Sequence, residues 1–291
     1  MTARRLSAPP GAHGAIAPRG LALALLLALG IPLGAQPGGQ GTIVFPTSAS
    51  PAAQAQFLVG VAALHNFEYE EANAAFVKAQ RIDPVFAMAY WGEAMTYHQT
   101  LWRNEDVAAG QRILTRLAPS AGARAAKAGS DRERGFLGAV ETLFGPGDGT
   151  ARRGAYAKTM AGMYGRWPDD PEVATFYALA LLGTMSRGLA GAMDAQEGHS
   201  AGLAGSETQA RVTAILEKVL RAYPNHPGAL HYLLHNNDDP EHARLAMAAA
   251  RTYAKVAPAS SHALHMPSHI FLQLGLWRDA ALSDQDRKSV V

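Results

Sequence analysis

The stretch from Ala53 to Pro84, whose core reads FLVGVAALHNFEYEEANAAFVKAQRIDP, constrains the fold most strongly. Apolar residues recur there at helical spacing in two blocks. Small and large positions fall in a fixed order: Gly60, Ala72, Phe76, Ala79 and then Pro84. Gly60 and Ala72 let two antiparallel helices approach closely, and Phe76 fills the groove between them. Pro84, which lacks an amide hydrogen, ends the second helix. Frequent alanine, leucine and methionine, with few β-branched runs, lean the rest of the chain towards helix as well.

Comparable blocks follow. Residues 87–119 form a second pair, with Trp91, Ala94 and Tyr97 in its first helix and Ile113 and Leu114 in its second. DRERGFLGAVETLFG and a helix from Ala151 to Tyr164, closed by Pro168, form a third. Pro171 to Arg187 and Thr208 to Tyr223 form a fourth, interrupted by the Gly-rich insert Gly188–Gly205, which is expected to be a loop. The last two units start at Pro227 and Ser261, one repeat length apart, and Gly275, Trp277 and Ala280 mark the final turn and second helix. This order resembles the tetratricopeptide repeat family, whose unit is about 34 residues. The segments HYLLHNNDDPEHA and HALHMPSHIF also resemble exported bacterial repeat proteins of unassigned role. The resemblance implies an all-α fold, a solenoid of antiparallel helix pairs over residues 53–291. No capping helix with a polar outer face is visible after Trp277, which suggests a truncated C-terminal end.

The N-terminus has the pattern of a signal peptide over residues 1–35. Arg4, Arg5 and Arg19 precede an apolar run from Leu21 to Leu33, broken by Pro32 and followed by the small pair Gly34–Ala35. That run is shorter than the roughly 20 residues needed to cross a bilayer. A flexible linker is expected over residues 36–52. These features point to a periplasmic or secreted bacterial protein with no stable membrane span after signal cleavage. The absence of cysteine excludes thiolate ligands, disulfides and a lipoprotein anchor. Basic residues number 26 against 24 acidic, and the signal removes three of the basic ones. The remainder is near neutral and carries no basic block that could follow a phosphate backbone, which argues against nucleic-acid binding.

Seven of the 11 histidines lie between residues 226 and 269: His226, His231, His235, His242, His262, His265 and His269. His231/His235 and His265/His269 are spaced i,i+4, so each pair shares one helix face, the spacing that helical zinc ligands use. In tetratricopeptide arrays the second, fifth, ninth, twelfth and thirteenth positions of each unit line the concave groove. His231 and His265 take the fifth position, His235 and His269 the ninth, and His262 the second. Asp238 and Asp239 take the twelfth and thirteenth, and His65 and His98 also fall at groove positions.

Two roles compete for this set. His231, His235, His262, His265 and His269 can converge as ligands of zinc, copper, nickel or iron, with carboxylates behind them. They can equally serve as hydrogen-bonding residues of a groove or core, the reading preferred for His226 and His242. Pro267 interrupts HALHMPSH, so that helix is either kinked there or begins there. Trp91, Tyr97 and Trp102 are expected to pack between helices, with a sugar- or peptide-stacking role as the alternative. Glu68, Glu70 and Glu71 suit a helix N-terminus, and Asp169 and Asp170 a capping turn. Walker, dinucleotide, nucleophile-elbow and HExxH motifs are absent. The expectation is an exported scaffold that binds a protein or peptide through His65, Trp91, His98, Asp238 and Asp239, with a metal on the histidine set. The alternative is a metal-dependent hydrolytic or redox enzyme. The scaffold stands first because repeat folds act mostly through binding.

Overall fold

The computed structural model describes Met1, residues 39–185 and residues 202–287. The segment expected to be a signal peptide (1–35), apart from Met1, and most of the Gly-rich insert, residues 188–201, lie outside the described residues. From residue 39 the described part is mostly helical, with almost no strand, and belongs to one compact unit, Gly34–Val291. Its helices succeed one another as pairs: α1 (Pro51–His65) with α2 (Tyr69–Ile82), α3 (Ala87–Met95) with α4 (Val107–Leu117), and α6 (Asp131–Leu143) with α7 (Gly149–Arg166). The series continues with α8 (Pro171–Thr184) and α9 (Gly202–Ala222), then α10 (Pro227–Asn236) and α11 (Ala243–Val256). A broken helix, α12 (Ser261–His265) and α13 (Pro267–Gln273), packs with α14 (Trp277–Arg287). The short α5 (Ala121–Ala125) and a hairpin of β1 (His98–Gln99) and β2 (Asn104–Glu105) complete the set. No helix among the described residues is long and apolar enough to cross a membrane.

Local chemistry accounts for the boundaries. Ser50, Asp106, Ser120, Ser130, Asp148, Asp170 and Ser260 each accept a backbone N–H at a helix N-terminus, a contribution of about 1 kcal/mol apiece. Phe76 is fully buried between two glycines: a Cβ at Gly60 would stand 2.7 Å from its ring, and one at Gly92 would overlap it. The first pair therefore packs as the order of its small and large residues predicts, and α3 joins it on the same aromatic ring.

The helix pairs have unequal faces. Helix α11 buries a stripe, Ala243, Ala246, Ala249, Ala250 and Tyr253, and leaves its other side to solvent. Every residue of α3 is buried, by contrast, and in α10 only His235 keeps partial exposure. The first helices pack on each other, α1 on α3, α3 on α6, α8 on α10, and α1 back on α10. An aromatic cluster fills the space between them: Trp91 lies 5.3 Å from Phe136 and 5.2 Å from Phe176 between ring centroids, and Phe45 lies 5.0 Å from Phe57.

Two expectations change here. The groove positions of the first units face this interior, so His65 and His98 are buried at 0% and 4% exposure and offer no surface to a partner, while Trp91, at 0%, packs between helices as first expected and leaves no room for a stacking partner. The segment expected to be a flexible linker is, from residue 39, part of the packed unit. Ile43 and Phe45 are buried, Ala259 N–H donates to the Gly39 carbonyl at 3.1 Å, and Ser48 donates twice to Glu133. Tyr97 lies beyond α3 and leads into the hairpin.

Candidate metal centre

The closure of α1 on α10 builds the site. Helix α10 starts at Pro227 and is capped by His226, whose Nδ1 accepts the Ala229 N–H at 3.2 Å. From that start His231 and His235 fall on one face, towards the C-terminal end of α1 and the turn after it. The His65 carbonyl, free because α1 ends there, accepts the His231 Nδ1–H at 2.7 Å. A carbonyl only accepts, so the hydrogen of the neutral His231 ring is fixed on Nδ1 and Nε2 carries a lone pair. That nitrogen lies 3.0 Å from His235 Nε2. His262, from α12, completes the group: one ring nitrogen from each of the three histidines lies within 4.8 Å of the others. His262 Nε2 is buried and has no hydrogen-bond partner.

Aromatic side chains enclose these rings. Phe67 lies 4.3 Å from His231 and 5.8 Å from both His235 and His262, and Tyr253 stacks on His231 at 5.1 Å. Trp102, at the tip of the β1–β2 hairpin, lies 5.9 Å from His262 and 6.4 Å from His235. Phe67 and Arg103 are the non-glycine residues with positive φ among those described, at 60° and 53°. Such strain is held only where surrounding contacts over-determine it, and both residues belong to the segments that cover the histidines. The site opens beside His262 into a cavity of about 550 Å³ lined by Phe67, Glu68, Tyr69, Gln99, Trp102 and Asn104.

The electrostatics keep the three rings neutral. Burial drives His231 and His235 far below the usual imidazole range, and the neighbouring histidines, His262 foremost, add to it. Burial, then His265 and His269, holds His262 at about 4. Near neutral pH all three therefore offer lone pairs, the form a metal ion needs.

His265 and His269 stand apart from this trio as a second pair. Pro267 kinks the helix between them, since the Ala263 carbonyl loses the donor a proline cannot supply, but both rings stay on one side. Their Nε2 atoms are 3.0 Å apart. His265 Nδ1 lies 2.7 Å from Asp284, and His269 Nδ1 lies 2.8 Å from Asp238. Asp238 is thus engaged with a histidine, and Asp239 accepts from His242 at 2.8 Å and from Gln209 at 2.9 Å.

A further group, His65, Glu172 and His226, also has metal-like spacing and is wholly buried. Its hydrogen bonding speaks against an ion. His226 Nδ1 is occupied as an acceptor, so its hydrogen sits on Nε2 and donates to Glu172 at 3.2 Å. His65 donates from Nε2 to Glu172 at 2.8 Å and accepts from the Tyr232 hydroxyl at 2.9 Å. Burial works to raise the Glu172 carboxyl, but His226 and His65 outweigh it and hold it at about 2. Every polar atom is satisfied, as in a structural network. Glu172 and Phe67 carried no signal in the sequence, because only the approach of distant segments gives them their roles; Trp102, expected to pack between helices, instead stands over the histidines, 43% exposed.

No family model matches the chain, and no curated protein matches it.

Proposed function

We propose that this chain is an exported, periplasmic or secreted protein of tetratricopeptide-type helix pairs that binds a divalent transition metal ion on His231, His235 and His262. The observation that carries the reading is the convergence of three neutral imidazoles. One is fixed in its ligand tautomer by the His65 carbonyl, and another presents a buried nitrogen with no partner. Two nitrogens bound to one ion at about 2.0–2.1 Å stand roughly 2.9–3.4 Å apart, and the His231–His235 separation of 3.0 Å falls in that range. Nitrogen ligands without thiolates or carboxylates suit zinc, copper, nickel or iron(II). The carbonyl behind His231 is the kind of partner that orients a ligating histidine.

Three protein ligands leave a coordination position open, and the cavity beside His262 is where a further donor would enter. Its walls, Phe67, Tyr69 and Trp102 with Gln99 and Asn104, suit a peptide segment with a polar terminus or side chain. This retains the scaffold reading but moves the partner surface from the buried first helices to the cavity. A metal-dependent enzyme is the second reading, favoured by Glu68 on the same wall. An ion bound here would supply Lewis acidity, and the Glu68 carboxylate, which accepts from Ser260 at 2.6 Å, is a group able to take up a proton.

Metal analysis after reconstitution tests the reading. The full chain should retain an ion that a His235→Ala/His262→Ala variant loses with its helical circular dichroism intact. Copper(II) should also quench Trp102 fluorescence, an effect that Trp102→Phe removes. No bound metal in the wild type, or equal metal in the variant, refutes the proposal.

A further inference from the structure

We infer that His265 and His269 form a cation site of their own, distinct from the three-histidine site, with Asp284 and Asp238 as the carboxylates behind its two ligands. The partners of the two rings fix where their hydrogens are. Each Nδ1 faces an aspartate oxygen, at 2.7 Å for His265 and 2.8 Å for His269. An ionised carboxylate only accepts, so each Nδ1 carries a hydrogen. Both Nε2 atoms of the neutral rings are then lone pairs, and they point at one another across 3.0 Å. Two lone pairs at that distance repel unless a positive charge lies between them.

A metal ion and a shared proton are the two charges that fit. The separation lies within the roughly 2.9–3.4 Å expected of two imidazoles on one ion. The surroundings favour the ion. Both rings, not one, are backed by a carboxylate, the arrangement that orients ligating histidines and strengthens their basicity towards a metal. Asp238 is itself held by Gln273, whose Nε2 donates to its second oxygen at 3.1 Å. The two aspartates can offset a divalent charge, whereas a single proton would leave the group negative. The side chains of His265 and His269 are each 28% exposed, so water can complete the coordination. The pair also joins three parts of the fold: α12–α13, the segment after α10 through Asp238, and α14 through Asp284. An ion there would tie the last helix pair to its neighbour.

Zinc uptake and copper(II) electron paramagnetic resonance on the full chain test this, with two double variants that separate the sites. The wild type should bind two ions. His265→Ala/His269→Ala should bind one fewer, while His235→Ala/His262→Ala should keep the ion at the pair. Asp238→Asn, which leaves both ligands in place, should weaken that ion by roughly 10–100-fold. Dipolar coupling between two copper ions should appear in the wild type and vanish in either double variant. If His265→Ala/His269→Ala binds as much metal as the wild type, the charge between the rings is a proton and the inference fails. If the pair keeps an ion while the three-histidine site takes up none, this inference stands and the function proposed above falls.

Discussion

Acidifying the metal-free protein should weaken it by an amount that the buried histidines set. In the unfolded chain an imidazole takes up its proton near 6.5. In the folded chain His262 stays neutral down to about 4. Between those values the unfolded state binds more protons, so stability falls as pH falls. At about 1.4 kcal/mol per pH unit, the descent from 6.5 to 5 costs about 2 kcal/mol through His262 alone. Burial, reinforced by the neighbouring histidines, lowers His231 and His235 as well, so both act in the same direction over that interval. His269, raised by its bond to Asp238, has the opposite sign. Its contribution is complete below 6.5 and fades only as pH rises through its folded value, so it does not counter the loss. Urea unfolding followed by helical circular dichroism, in chelator at pH 7, 6 and 5, measures the effect. His262→Gln should reduce the pH 7-to-5 loss by about 2 kcal/mol, and saturating zinc should reduce it in the wild type because the ion competes with protons. An identical pH dependence in wild type and variant, or greater stability at pH 5, refutes the reasoning.

Replacing the carboxylate of the buried His65–Glu172–His226 network should be severe: Glu172→Gln turns an amide N–H towards an imidazole N–H and should cost about 3–5 kcal/mol, read as a lower urea midpoint. Gly228→Ala places a methyl inside the His65 ring, which is fully buried and has no room to retreat. Overpacking of about 1–3 kcal/mol should outweigh the roughly 1 kcal/mol gained in helix propensity. Because that shift moves the carbonyl behind His231, zinc affinity should fall as well, and an unchanged melting temperature would contradict the packing.

The helix pairs were legible because their determinants are local. Gly60 and Pro84 act within one pair, Phe76 within it and on the helix that follows, and Pro227, Ser261 and Gly275 mark starts and turns at fixed offsets. The i,i+4 spacing likewise revealed His231/His235 and His265/His269. The packing of first helix on first helix was not legible, because it sums small rotations from pair to pair that no single segment records. His65 and His98 were therefore assigned to an open groove, where the structure buries both. Glu172 was hidden behind its capping motif, and the strained backbone of Phe67 has no signature in composition. The division of five histidines into a trio and a pair depended on Asp238 and Asp284, whose partners lie 31 and 19 residues away.

The return of α1 onto α10 also bears on how the protein reaches its native state. A repeat array in which each unit touches only its neighbours can nucleate anywhere and unravel from its ends. Here the His65 carbonyl meets a ring 166 residues later, and Asn66 meets Tyr253 across 187. Contacts of such separation form slowly, since the loop must close before they contribute. The three-histidine group can therefore be completed only after the first helix pair has docked. Loss of that pair would dismantle a site to which it contributes no ligand.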